Sequence, residues 1–194
     1  MTLLKDLLCM SPDIKPERDK LDTGDIEENA SIPIKLFGID HAAVGTYLYD
    51  PINGEIIEPP PLNFPMYIQL GDGDEVVATA SIDDALVLSD AGIGSRTIAP
   101  LNPEHLPDVC IALKANFSNL RFLLLGKPEH SSLITFTKRE LGCLSRYPKR
   151  IYSSWAEFCD KEGISELTAY IRSKDIESES VDQFTVKDHH VKDI

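Results

Sequence analysis

The chain has 194 residues, with 32 Asp or Glu against 19 Lys or Arg and a formal net charge of −13. That length suits one domain able to bury its own core, and that charge opposes non-specific attraction to nucleic-acid phosphates or an anionic membrane. Cys9, Cys110, Cys143 and Cys159 form no C-x-x-C pair and have no His at ligand spacing, which excludes a recognisable zinc or disulfide framework and predicts reduced, mostly buried thiols.

Taken in chain order, "TLLKDLLCM" has the pattern of a short amphipathic helix, and its internal Lys5 and acidic flank are unlike a signal peptide. Residues 11–31 are charged, contain two prolines and lack an apolar period, so residues 1–31 read as a flexible arm. An α/β domain is expected over residues 32–174, and a mobile polar tail over residues 175–194. The His189-His190 pair in that tail has no third ligand nearby. No apolar run approaches the roughly 18 residues that span a bilayer, so the expectation is a cytoplasmic protein without membrane contact.

"AAVGTYLYDPINGEIIEPP" alternates on both sides of Asn53-Gly54, which is a hairpin signal. "FPMYIQLGDGDE" adds a short strand and a Gly-rich turn, and "EVVATA" is a near-continuous apolar strand of the kind buried on both faces of a parallel sheet. Ser81 is the expected N-cap of the next helix, with Asp84 completing a capping-box pattern and Asp83 suited to the helix dipole. Further strands are expected over 96–99, 121–125 and 149–152. "PDVCIALKANF" carries Val109, Cys110, Leu113 and Phe117 at helical spacing. "SSLITFTKRELGCL" is a helix by position although Ile134 to Thr137 favour strands. "SSWAEFCDKEG", capped by Ser154 with Glu157, and "SELTAYIRSK" supply two last helices. Strands alternating with helices at this spacing predict a mainly parallel sheet with helices on both faces, preceded by a β-hairpin.

The order of these phrases resembles the Toprim-like, Rossmann-like domain of plasmid- and phage-type DNA primases and related mobilisation proteins. Where that family has a strand entering a Glu-Gly turn and helix, "VVVxEGIETALAL", this chain has "VVATASIDDALVL". "YIQLGDGDE", "GIGSRTIAPLNPEHL", "CIALKANFSNLRFLLLG" and "YPKRIYSSWAEFCDKEGISEL" are similar to its successive elements, over roughly residues 44–172. The resemblance implies a site of a Glu after the first strand and a D-x-D pair after a later one, which together hold Mg²⁺ for phosphate chemistry. Here the Glu-Gly positions are Ala80 and Ser81, D-x-D falls at Leu125-Gly126-Lys127, and the Asp of the family's "DWNDL" falls at Ser153 or Ser154. Methyl and hydroxyl groups do not replace anionic oxygens for a hard cation.

The implied function is therefore a non-catalytic Toprim-like protein of a mobile element without a cofactor. It would act through a protein partner of the replication, transfer or repair machinery, through weak nucleic-acid contact, or through both. Lys127, Lys138, Arg139, Lys149 and Arg150 are the candidate phosphate contacts. The enzyme alternative is an Mg²⁺-dependent primase or nuclease with a displaced site at Asp83, Asp84 and Glu129. A third reading, permitted by the net charge alone, is an acidic inhibitor that fills a basic nucleic-acid channel. His41, His105 and His130 are isolated in sequence, so no Ser-His-Asp or Cys-His constellation is indicated.

Overall fold

A computed structural model describes residues 31–58 and 64–173. The expectations for residues 1–30 and 174–194 lie outside the described residues. Eight strands form one sheet: β1 (Ile32–Gly38), β2 (Ala43–Asp50), β3 (Glu55–Ile56), β4 (Met66–Gly71), β5 (Glu75–Ala78), β6 (Arg96–Pro100), β7 (Arg121–Leu125) and β8 (Leu144–Arg146). Five α-helices accompany them among the described residues: α1 (Ile82–Asp90), α2 (Leu106–Asn116), α3 (Ser131–Leu141), α4 (Trp155–Glu162) and α5 (Ile164–Arg172). The strand order is β3-β2-β1-β4-β6-β5-β7-β8.

The sheet is mixed. β6, β5, β7 and β8 run parallel, whereas β3, β2, β1 and β4 pair antiparallel and join the rest through an antiparallel β4–β6 ladder. The expected α/β class is present, but the mainly parallel sheet is corrected: the region before β5 contributes half the strands, more than the expected hairpin. β1 is the strand the sequence reading omitted. Its "IPIKLFG" alternates buried and exposed residues, a period-2 signal masked by Pro33, which sits near the strand start where proline is tolerated. The expected hairpin is β2–β3, turned through Pro51 to Gly54 with Gly54 at φ 69°. Only glycine adopts that left-handed conformation readily.

Helices cover both faces of the parallel half. Val76 and Ala78 of β5 pack with Leu106, Val109, Cys110 and Leu113 of α2 and Ile134 of α3. Val77 points the other way, into a cluster with Leu88 of α1, Trp155 and Phe158 of α4, and Leu167 and Ile171 of α5. Side chains along a strand alternate in direction, so β5 is sandwiched and must be apolar throughout. α3 is helical despite Ile134 to Thr137, because Ile134 and Thr137 both fall on its buried face and tertiary burial outweighs intrinsic preference.

The strand expected over 149–152 is absent, and that expectation is corrected. The chain pairs with β7 earlier, at Leu144 to Arg146. Pro148 follows, which cannot donate to a ladder, and Tyr152 closes a turn by donating its N–H to the Lys149 carbonyl at 2.8 Å. The segment has to leave the sheet there, because it carries the chain from α3 on one face to α4 on the other. Cys110 is buried and Cys143 and Cys159 are half-buried, all three as free thiols. Burial pushes the Cys110 thiol well above its ordinary range, which leaves it protonated and inert.

Candidate functional site: the crevice at the carboxyl ends of the parallel strands

From β5 the chain runs to β6 on one side and later returns to β7 on the other, so the parallel half changes direction between β5 and β7. In open α/β sheets the loops leaving such a switch point diverge to opposite faces and leave a crevice. A cavity of about 220 Å³ lies there. Ala80, Ser81 and Asp83 reach it from the β5–α1 turn, Pro100 and Leu101 from the end of β6, and Lys127 and His130 from beyond β7; Tyr49 and Gly54 close it from the β2–β3 hairpin. At this size it accommodates a small group, since drug-sized ligands need roughly 300–1,000 Å³.

Each acidic side chain near the crevice already has a partner. The Tyr49 hydroxyl donates to Oδ1 of Asp83. Burial, and then that bond, push the Tyr49 hydroxyl far above the phenol range, so it stays a donor. Asp84 is fully buried, and its Oδ1 accepts from the backbone N–H of Ala156 in the first turn of α4 at 2.9 Å. Its Oδ2 is buried without a partner. Burial pushes the Asp84 carboxyl up to about 6, against the backbone donation from Ala156 and the nearby Lys127 ammonium. Glu129 sits 3.4 Å from His130 Nε2 and 4.0 Å from Lys127 Nζ. Among the described residues, no group of three or more His, Cys, Asp or Glu converges as a metal would require.

The positions singled out by sequence separate into two groups. Ala80, Ser81, Asp83 and Lys127 line the crevice together. Leu125 belongs to the core under α4. A Cβ on Gly126 would lie 2.6 Å from Cγ1 of Ile134 and 2.9 Å from Cε1 of Tyr147, so this glycine is explained by close packing of α3. Ser154 caps α4, and its Oγ accepts from Glu157 N–H at 3.0 Å. It stands at the same end of the sheet, because α4's first turn is bound to Asp84.

The capping expectations hold for the serines and fail for the acids. Ser81 Oγ accepts from Asp84 N–H at 3.5 Å, but the Asp84 carboxyl goes to α4. Glu157 accepts from Ser153 N–H and Oγ, both at 2.7 Å, where a capping box would return it to Ser154.

The basic residues do not form one patch. Lys127 lies in the crevice with its side chain 19% exposed. Lys138 and Arg139 are in the last turn of α3, about 10 Å along the helix axis from its start. The Arg139 guanidinium pairs with Glu140 at 3.1 Å and lies over the Phe136 ring. Lys149 pairs with Glu166 of α5 at 3.2 Å and lies over Phe158 and Tyr170, with Arg150 exposed beside it. Tyr49 and His130 are crevice residues that the sequence reading did not single out as part of a site. Nothing in the spacing of Tyr49 and Asp83, 34 positions apart, announces their contact, whereas His130 follows a strand end, where a crevice residue is expected. No family model, curated protein or solved structure matches this chain.

Proposed function

We propose that this chain is a non-catalytic, Toprim-like protein of a mobile element. In this reading it acts by contact with a protein of the DNA replication, transfer or repair machinery, supplemented by weak, sequence-independent nucleic-acid contact. One observation carries the reading. At the switch-point crevice, where Mg²⁺-dependent phosphate chemistry needs several convergent anionic oxygens, the chain places Ala80, Ser81 and Lys127, with Asp83 as the single acid in the lining. The adjacent acids serve other groups: Asp83 accepts from Tyr49, Asp84 from α4, and Glu129 faces His130 and Lys127. Asp83 and Asp84 each commit one oxygen to a protein donor, and the second oxygen of Asp84 is buried, so the pair does not offer the several convergent, accessible oxygens that a hard cation with near-octahedral geometry demands.

Calorimetry with Mg²⁺ or Mn²⁺ tests this directly. The expected result is no saturable heat. Saturable binding that disappears in both Asp83→Ala and Asp84→Ala transfers the assignment to a metal-dependent primase or nuclease.

Nucleic-acid contact is expected to be electrostatic and local, since physiological salt confines the repulsion of the acidic total to about 8 Å. In a salt titration of single-stranded and duplex DNA binding, the logarithmic slope should fall by about one for each phosphate-contacting cation removed. Lys127→Ala, Lys138→Ala/Arg139→Ala and Lys149→Ala/Arg150→Ala divide the cations by location, and tight binding indifferent to all three rejects these contacts.

A further inference from the structure

We propose that Asp84 is a pH-sensitive clasp between α1 and the α4–α5 pair, holding that pair against the sheet more firmly when its carboxyl is protonated than when it is ionised. The helices α4 and α5 are the last described elements, and their attachment to the body is of two kinds. Most of it is apolar: Trp155, Phe158, Leu167 and Ile171 pack on Val77, Leu88, Ile93 and Leu125. The remainder is polar and sparse. Nη1 of Arg146 donates to the carbonyls of Tyr170 and Ser173 at the far end of α5, Lys149 and Tyr152 of the preceding segment bind Glu166 and Glu162, and Asp84 accepts from Ala156 at the near end of α4.

Asp84 is the ionisable side chain buried in this interface, where the indole N–H of Trp155 is also buried without a partner. It is fully buried, it reaches across 72 positions of sequence, and one of its two carboxyl oxygens has no partner. An ionised carboxylate needs both oxygens solvated or hydrogen-bonded, and a buried one without that is driven toward its neutral form. The groups around it do not cancel that drive. Lys127, from beyond β7, favours the charged form, and so do the amides of Ala156 and Trp155, while Asp83 next to it opposes. Asp83 is itself bound by Tyr49 of β2. Of the other groups near it, Glu157 of α4 turns its carboxylate to Ser153, and His130 lines the same crevice facing Glu129.

The sign follows from linkage. Burial raises the docked carboxyl from 3.8 to about 6. A raised carboxyl stabilises the docked state fully below its unburied value, and that contribution is lost as pH rises through the docked value. With about two pKa units between the states, the equilibrium constant for opening α4–α5 should rise up to about 100-fold between pH 4 and pH 8. Ionisation thus loosens the helix pair whose first turn Asp84 holds.

The test is amide hydrogen exchange on the full chain in EDTA, with intrinsic rates corrected for pH. The expected result is that protection of Trp155 to Arg172 falls as pH rises from 5 to 7.5, relative to the amides of β6 and α2. In Asp84→Asn, which keeps an amide-sized acceptor that does not titrate, this relative pH trend should vanish. The same trend in Asp84→Asn, or none in the parent, overturns the proposal. Should that variant fail to fold, an NMR titration of the Asp84 carboxyl carbon in the parent and in Lys127→Met decides. A parent midpoint near 6 that rises in Lys127→Met supports the clasp, and a midpoint below about 4.5 refutes it.

Discussion

The two halves of the sheet are built on different terms. In the parallel half, β6 is buried at all five residues and β5 at three of four. In the antiparallel half, β1 alternates, with Ile32, Ile34 and Leu36 buried against the α1 side and Pro33 and Lys35 exposed. Helices on both faces make the parallel half the load of the core. A helix on one face leaves the antiparallel half with a solvated side on which Leu48 remains 44% exposed. The difference assigns separate tasks: the parallel half holds the loops that form the crevice, and the antiparallel half, through Tyr49 and Gly54, closes one wall of it.

The sharpest way to break this comparison is to remove the same atoms from each half. Leu124 of β7 is fully buried among Val76, Val109 and Ile134, so Leu124→Ala should cost about 2–5 kcal/mol through lost transfer energy and the cavity left behind. Leu48→Ala removes an equal volume from the exposed side of β2 and should stay within about 0.5 kcal/mol. Denaturant unfolding followed by the fluorescence of Trp155, the chain's one tryptophan, measures both. Equal costs would show that something covers the open side of β2 and that the two halves are buried alike.

What the sequence discloses tracks the same division. β5, β6, β7, α1, α2, α4 and α5 were legible because a residue buried on two sides must be apolar, and because Ser81 and Ser154 mark helix starts by side-chain chemistry alone. β1 is hard to read from sequence because a half-buried strand carries only an alternation, here interrupted by Pro33. The misplaced strand over 149–152 has a different origin. "KRIY" has β-prone residues, but Tyr152 and Lys149 are used by contacts to α4 and α5, including Lys149 over Phe158 and Tyr170, and no local pattern records which partner a β-prone residue will find. The same limit governs the site. Ala80, Ser81 and Lys127 were found by position after strands, whereas the attachment of Asp83 to Tyr49 and of Asp84 to Ala156 joins residues far apart in sequence. Sequence alone assigns Asp84 to a cap and Asp83 to the helix dipole, because the helix start is the nearest available partner in a linear chain.

The smallest predicted effect separates local from tertiary capping. Ser154 Oγ accepts from Glu157 N–H at 3.0 Å, within ordinary hydrogen-bond range, while Ser81 Oγ accepts from Asp84 N–H at 3.5 Å, at its outer limit. Ser154→Ala should therefore cost about 1 kcal/mol. Ser81→Ala should cost only a few tenths, because a bond at that distance contributes little and α1 is held by Ala85 and Leu88 in the core. The two helix starts also differ in what remains after the change. α4 keeps the Asp84 carboxyl on Ala156 N–H, so its loss is confined to one donor, and hydrogen exchange should show a faster Glu157 amide with Ala156 unchanged. If Ser81→Ala proves as costly as Ser154→Ala in the same unfolding measurement, the Ser81 hydroxyl has a role in the crevice beyond its cap. Ser81→Gly then distinguishes the two, since glycine tolerates the N-cap position at a cost of only a few tenths but removes any hydroxyl contact.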